Sequence, residues 1–249
     1  MILKGRALFV FLPLCLLLLF SAPSFADEAE NPPKGHWKGG AEIGGVATSG
    51  NTDTRSLNVR MNIENEREKW SHSASMESYY SQGSDGESRK DAQKLTAEAN
   101  SAYKLTERNY TFADAGYEND RFSGYKYRFH ESAGLGRVFV KTGNVMLKIE
   151  AGVGGRHSRL DNDSLTDELI AIGAVKFRWN IGPSSVLAEN LSVKSGNQGT
   201  VIVSRTALKA HVAGAFSIKL SLDVNQNSNP PEDKKNTDTI TSVTLVYDF

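Results

Sequence analysis

His130 and Ser132 stand two residues apart, a spacing that puts both side chains on one face of an extended strand. A histidine base beside a serine hydroxyl is the smallest unit of acyl transfer. The pair shares its face with Lys126 and Arg128, which marks that face as polar and wet, remote from an apolar substrate. Asp161, Asn162 and Asp163, with Asp167 and Glu168 beyond them, supply oxygen atoms of the kind that hold calcium. The glycine and the spacing of an EF-hand loop are missing, so the run reads as a solvated loop. The five histidines have no metal-ligand spacing, and a single cysteine cannot help them. Gly152, Gly154 and Gly155 are not followed by a helix and make no phosphate loop; in a strand they ease curvature or leave room for a neighbouring aromatic. The chemistry-bearing residues therefore point to no catalytic site, no metal and no cofactor.

The elements that carry these residues sit in a chain of 249 residues with 29 basic and 29 acidic side chains. That balance argues against nucleic acid as a partner, since phosphate binders carry a basic excess. The ends of the chain differ in character. Lys4 and Arg6 precede an apolar run from Ala7 to Phe20, and Ser24-Phe25-Ala26 leads into Asp27 and Glu28. This is the layout of a secretory signal peptide over 1–26, cleaved before Asp27. The run is shorter than the ~20 residues a membrane-spanning helix needs. Cys15 follows Leu14 inside the run, so a lipoprotein signal is rejected. Residues 27–36 read as a short periplasmic segment.

From Trp37 onward the pattern has period two. Leu57, Val59, Met61 and Ile63 alternate with Asn58, Arg60, Asn62 and Glu64. Phe216, Ile218, Leu220, Leu222 and Val224 alternate with Ser217, Lys219, Ser221 and Asp223. Such segments are strands with two unlike faces. Twelve are expected, near 37–48, 55–66, 69–81, 92–105, 108–118, 125–140, 144–156, 167–181, 184–195, 200–213, 215–226 and 237–249. Short turns alternate with longer polar loops, notably 82–91, 157–166 and 227–236. The expected fold is all-β, a twelve-stranded antiparallel meander closed as a transmembrane β-barrel over 37–249. An apolar outside, a polar inside and an even strand count suit a membrane better than a soluble sandwich. The chain ends on an alternating strand whose Leu245, Tyr247 and Phe249 form the expected assembly signal. A barrel in lipid must pair its last strand with its first, because an open edge leaves backbone groups unsatisfied.

Parity assigns Arg60, Glu64, Glu98, Lys148, Glu150, Arg178, Arg205, Lys219 and Asp223 to the lumen. Long side chains of both signs inside a backbone cylinder of roughly 12 Å radius can pair across it and block it. Three strands leave their phase open. In 108–118 either Tyr110 and Phe112 face lipid, or Thr111, Ala113, Ala115 and Tyr117 do. Glu131 is in phase with Phe129 and Leu135, and Glu189 with Leu187 and Leu191. A carboxylate at mid-bilayer is costly, so each must lie near an interface or beside a phase-shifting bulge.

Three stretches carry a family resemblance: Ser49-Gly50-Asn51-Thr52-Asp53-Thr54; Glu118-Asn119-Asp120-Arg121-Phe122-Ser123-Gly124-Tyr125 ahead of Gly134-Leu135-Gly136; and Asn229-Pro230-Pro231 leading to Thr244-Leu245-Val246-Tyr247-Asp248-Phe249. Over 37–249 the chain resembles the YdiY-like family of salt-induced outer-membrane proteins. The resemblance implies a Gram-negative outer membrane, reached by export through the inner membrane, with membrane lipid and the barrel-assembly machinery as partners. It carries over no catalytic residue. The His-x-Ser pair is also similar to that of outer-membrane phospholipases, but Ala133 stands where that family has asparagine. The functional expectation is a non-enzymatic barrel, related to envelope or osmotic stress, with a narrow or occluded polar lumen. A small channel for ions or polar solutes is the alternative, and a lipid hydrolase the third reading. By loop length, the short turns should face the periplasm and 82–91 and 227–236 the outside.

Overall fold

The structure is a computed structural model that describes residues 35–49, 54–85, 88–120, 123–231 and 234–249. The expected leader 1–26, most of segment 27–36, and Gly50, Asn51, Thr52, Asp53, Arg121 and Phe122 of the resemblance lie outside the described residues. Among the described residues the strands are β1 (Trp37–Ser49), β2 (Thr54–Glu66), β3 (Trp70–Asp85), β4 (Ser88–Lys104), β5 (Asn109–Asp120), β6 (Tyr125–Lys141), β7 (Val145–Leu160), β8 (Leu165–Asn180), β9 (Ser185–Gly196), β10 (Gly199–Ala213), β11 (Phe216–Asn227) and β12 (Thr237–Asp248). Each pairs antiparallel with its neighbours in sequence, and β12 returns to β1 to close the ring. Full closure leaves no unpaired edge, the condition a sheet must meet in lipid.

Alternation fixes which way each side chain points. On β11, β12, β1 and β2 the outward set is Phe216, Ile218, Leu220, Leu222, Val243, Leu245, Ile43, Leu57, Met61 and Ile63, all exposed. Between them Ser217, Ser221, Ser242 and Thr244 turn inward and are buried. This inversion of soluble-protein burial is the mark of a transmembrane barrel. Aromatic pairs ring the belt at both rims. At the terminal rim, where Trp37 and Phe249 lie, Trp70 meets Tyr103 at 4.9 Å, Phe216 meets Tyr247 at 5.3 Å, and Tyr247 meets Phe249 at 6.3 Å. At the distal rim Tyr117 stacks on Tyr127 at 6.3 Å. Trp70 and Tyr80 bracket one outward face of β3. Ten steps of ~3.3 Å, tilted ~40°, span ~25 Å, the height of a barrel's apolar band.

The closing seam is tight. Phe249 N–H donates to Gly39 O (2.9 Å) and Gly39 N–H to Phe249 O (2.8 Å). A Cβ at Gly39 would lie 2.5 Å from the Phe249 ring, and one at Gly44 only 2.1 Å from the Val243 carbonyl oxygen. Neither position has room for a side chain.

The expected alternation of short turns and long loops is corrected. Pairing of β3 with β4 continues from Gln82↔Asp91 to Asp85↔Ser88, so the described part of 82–91 is a hairpin extension. Likewise β7 and β8 leave only 161–164 of the expected loop 157–166. Polar residues above the membrane can continue a ladder in water, so polarity alone overstates loop length. By the strand bounds, 228–236 separates β11 from β12 by nine residues, and the other strands stand two to four residues apart in sequence.

The open phases resolve the same way for β5, β6 and β9. Tyr110 and Phe112 are buried on the inner face, and Thr111, Ala113, Ala115 and Tyr117 face out. Register shifts lie at Glu118/Asp120, Tyr125/Tyr127 and Val138/Val140, but Glu131 keeps the outward phase of Phe129 and Leu135. It accepts a hydrogen bond from His157 (3.1 Å), toward the distal rim. Glu189 also faces out, accepting bonds from Ser204 (2.7 Å) and Thr206. Hydroxyl and imidazole donors on neighbouring strands offset what a bare carboxylate would cost there.

Candidate functional site

The inner face of the ring carries a lattice of charge. Its central chain begins at Asn58 on β2, whose Nδ2 donates to Glu77 on β3 (3.0 Å). Arg60 stands 3.6 Å from the same carboxylate. Arg205 on β10 reaches Glu77 across the bore (3.1 Å) while its Nε donates to Asp223 on β11 (2.7 Å). Glu77 and Arg205 are separated by 128 positions in sequence and by four intervening strands around the ring. The bond between them therefore cuts across the lumen.

Other links surround this one. Lys94 lies 3.5 Å from Glu118 and 3.3 Å from Asp120, and Arg128 donates to Glu118. Arg128 also covers the Tyr125 ring at 4.7 Å, a cation–π contact. Lys194 on β9 meets His130 on β6 (2.6 Å), and His130 Nε2 lies 3.0 Å from Asp114. Nearer the terminal rim, Lys219 reaches past β12 to the buried Glu42 on β1. Glu150 accepts from Tyr110 Oη and from Lys176, both at 2.8 Å. The Tyr110 ring lies over Gly136, where an added Cβ would be 2.2 Å from it. Opposite charges brought together in a confined space find partners more cheaply than they stay unpaired.

The residues singled out by parity occupy different places in this lattice. Arg60, Glu150, Arg205, Lys219 and Asp223 sit in it as described. Arg60 turns to Glu77 on the next strand, not to Glu64, and Glu150 to Lys176, not to Lys148. Lys148 lies over the Tyr110 ring at 5.9 Å. Glu64 and Arg178 are exposed toward the terminal rim. Glu98 lines a cavity of about 190 Å³ in the distal half of the bore. Parity missed Asp114, Glu118, Asp120 and Lys194, because the phases of β5 and β9 were open; the carboxylates at 114, 118 and 120 share one phase and could have settled β5.

The candidate chemistry of single motifs dissolves in this geometry. His130 and Ser132 do share the inner face, but the imidazole is turned to Asp114 and Lys194, and the buried Ser132 Oγ has no hydrogen-bond partner among the described residues. The acidic run diverges: Asp163 goes to Lys126 (2.7 Å) and Arg159 (2.6 Å), Asp167 to His157 (2.8 Å), and Glu168 to Arg156 (2.7 Å) and the Gln198 N–H (2.8 Å). In the connection 161–164, the hydrogen bond from Lys126 holds the Asp163 carboxyl below the usual carboxylate range.

A family model described as "Protein of unknown function, DUF481" matches residues 41–249. The chain is 26% identical over 214 residues to a protein of Escherichia coli (strain K12) described as "Uncharacterized protein YdiY", covering 85% of this chain and 82% of that one. Among solved structures, the NanC porin superposes with a TM-score of 0.56 at 13% identity, over 83% of this chain and 98% of that chain. The COG4313 outer membrane channel from Pseudomonas putida F1 superposes with a TM-score of 0.54 at 12% identity, over 90% of this chain and 100% of that chain. At these identities the likeness is one of fold.

Proposed function

The chain belongs to the DUF481 family of proteins of unknown function, and from that premise we propose that it is an outer-membrane β-barrel whose polar lumen is held closed at rest by ion pairs crossing the bore. The observation that carries this reading is the Asp223–Arg205–Glu77–Arg60 chain, which joins β11 and β10 to β3 and β2 through the lumen. A twelve-stranded ring is already narrower than the 16–18-stranded porins that leave an aqueous channel. The outer-membrane location is supported by the apolar belt and by the fold shared with porins and channels of that membrane. On this reading the barrel is non-enzymatic, serves the envelope under osmotic stress, and enters the membrane through the assembly machinery by way of Leu245, Tyr247 and Phe249. Residues 1–26 act as the export signal.

A second reading, a narrow channel for ions or small polar solutes, is favoured by the partly open cavity within the lattice. Swelling of proteoliposomes in small polar solutes tests the two. The wild type should permit little swelling, and Glu77→Ser with Arg205→Ser, which removes both charges of the crossing pair, should permit more. Rapid swelling by the wild type would favour the channel. Orientation has its own test: cysteines at Asn229 and Thr142 place a thiol at each rim. An impermeant reagent on intact cells should label the first and spare the second; the reverse would invert the topology.

A further inference from the structure

The cavity of about 190 Å³ has two unlike sides. Val201 and Val203 on β10 and Ile240 on β12 present aliphatic surface to it, an unusual lining for a wet bore. Beside Tyr117, Phe129 and Val224, the remainder carries six carboxylates against five Lys and Arg side chains. Most of these charges are already engaged. Lys94 and Arg128 are bound to Glu118, Lys194 to His130, and Arg205 to Asp223 and Glu77.

What is left over is all of one kind. Asn58 is 6% exposed; its amide nitrogen is used by Glu77, while its Oδ1 accepts no hydrogen bond among the described residues. Asn225 Oδ1 is buried and accepts none either. Glu98, exposed to the bore and so without the desolvation cost of the two amides, makes no hydrogen bond or ion pair with a described residue. All three line the cavity. Asn58 stands at one end of the Glu77–Arg205–Asp223 chain, and Asn225 is two residues beyond Asp223 on the same face of β11. The lattice thus leaves acceptors unmet, while each of its Lys and Arg side chains already has a partner. A buried acceptor without a donor carries its full desolvation cost, and the missing donors must come from whatever occupies the space.

We propose that this cavity is a binding site for a small organic cation, a primary ammonium or guanidinium head on a short aliphatic body. The head donates to Asn58 Oδ1, Asn225 Oδ1 and the Glu98 carboxylate. The body rests on Val201, Val203 and Ile240. The volume is close to that of an engineered cavity of about 150 Å³ that holds benzene, so a body of a few carbons fits. A hydrated inorganic cation would satisfy the acceptors but make no use of the aliphatic wall. The proposal rests on the closed-lumen reading, because an open bore would not enclose a cavity.

Isothermal titration of the folded, full barrel in detergent micelles with butylammonium chloride tests it. Sodium butyrate and sodium chloride at equal ionic strength are the controls, and heat-modifiable gel mobility certifies that each variant is folded. Butylammonium should bind saturably, butyrate should not, and sodium should bind at least tenfold more weakly. Glu98→Gln should weaken butylammonium at least tenfold. Asn225→Leu should weaken it severalfold, and serves where Glu98→Gln does not fold. Val203→Ser should weaken butylammonium but leave methylammonium unchanged. Absence of saturable binding, equal binding of butyrate or sodium, or indifference to both Glu98→Gln and Asn225→Leu would overturn the site. Liposome swelling separates this from the wider reading: a closed barrel that binds nothing defeats the cavity site alone, whereas a freely permeable wild type defeats the closed lumen.

Discussion

The outer wall and the bore are built from the same twelve strands, yet they are organised at different ranges. On the wall each residue answers to its own parity. Ile218 could be exchanged for leucine or valine with little consequence, because lipid asks only for an apolar side chain. In the bore, partners are set by which strands face each other across the ring. Glu42 meets Lys219 over 177 positions, and Glu77 meets Arg205 over 128. The wall is therefore tolerant and locally specified, and the bore is exacting and globally specified. Exceptions on the wall follow the same logic: Glu131 and Glu189 face out only because His157, Ser204 and Thr206 on adjacent strands supply donors.

Wall and bore fail together first at the seam, where both depend on one ladder. Gly44→Val drives a side chain into the Val243 carbonyl, and deleting Phe249 removes both terminal backbone bonds to Gly39. Either change should abolish most of the folded barrel in membrane extracts, read by heat-modifiable gel mobility. Undiminished folded protein in both would show that closure does not depend on this seam. By contrast Leu220→Val on the wall should cost no more than about 1 kcal/mol.

Inside the bore the expected effects are smaller and non-additive. Glu77→Gln strands Arg60 and Arg205 beside an uncharged amide and should destabilise the barrel by about 3 kcal/mol, since breaking one partner of a buried pair leaves the other uncompensated. Adding Arg205→Ser should restore part of that loss; urea unfolding in micelles measures both. A double variant that is additive would deny the coupling across the lumen. Tyr110→Phe removes one hydrogen bond to the Glu150 carboxylate and should cost about 1.5 kcal/mol. At the distal rim Asp163→Asn should leave unfolding unchanged within error, because its partners Lys126 and Arg159 are exposed with it. Its depressed carboxyl pKa means that the Lys126 contact is present at neutral pH and lost as pH falls through the folded-state value. Amide exchange of 161–164, relative to the intrinsic rate at the same pH, should quicken there.

These contrasts explain what the sequence could and could not disclose. Strand number, order and closure were legible because period-two alternation repeats at every strand and the terminal Tyr247 and Phe249 stay in phase with Leu245. The lengths of the distal connections were not, since Gln82 to Asp91 is as polar as a loop yet pairs as a ladder in water. For Arg60, Lys148 and Glu150, parity gave the face and nothing gave the partner: neighbours four or two apart on one strand are less accessible to each other than residues across a turn or across the ring. Asp114, Glu118 and Lys194 were hidden for a different reason. Apolar residues stand on both faces of β5 and β9, so alternation there has no unique reading until the neighbouring strands are placed.

The central claim is that pairing across the ring closes the lumen. Single-channel recording of the purified wild-type barrel in a planar bilayer meets it most directly. A lumen closed by this pairing shows no steady opening, and openings appear when Glu77 and Arg205 are both replaced by serine. A large, steady conductance in the wild type, unchanged by that replacement, would contradict it.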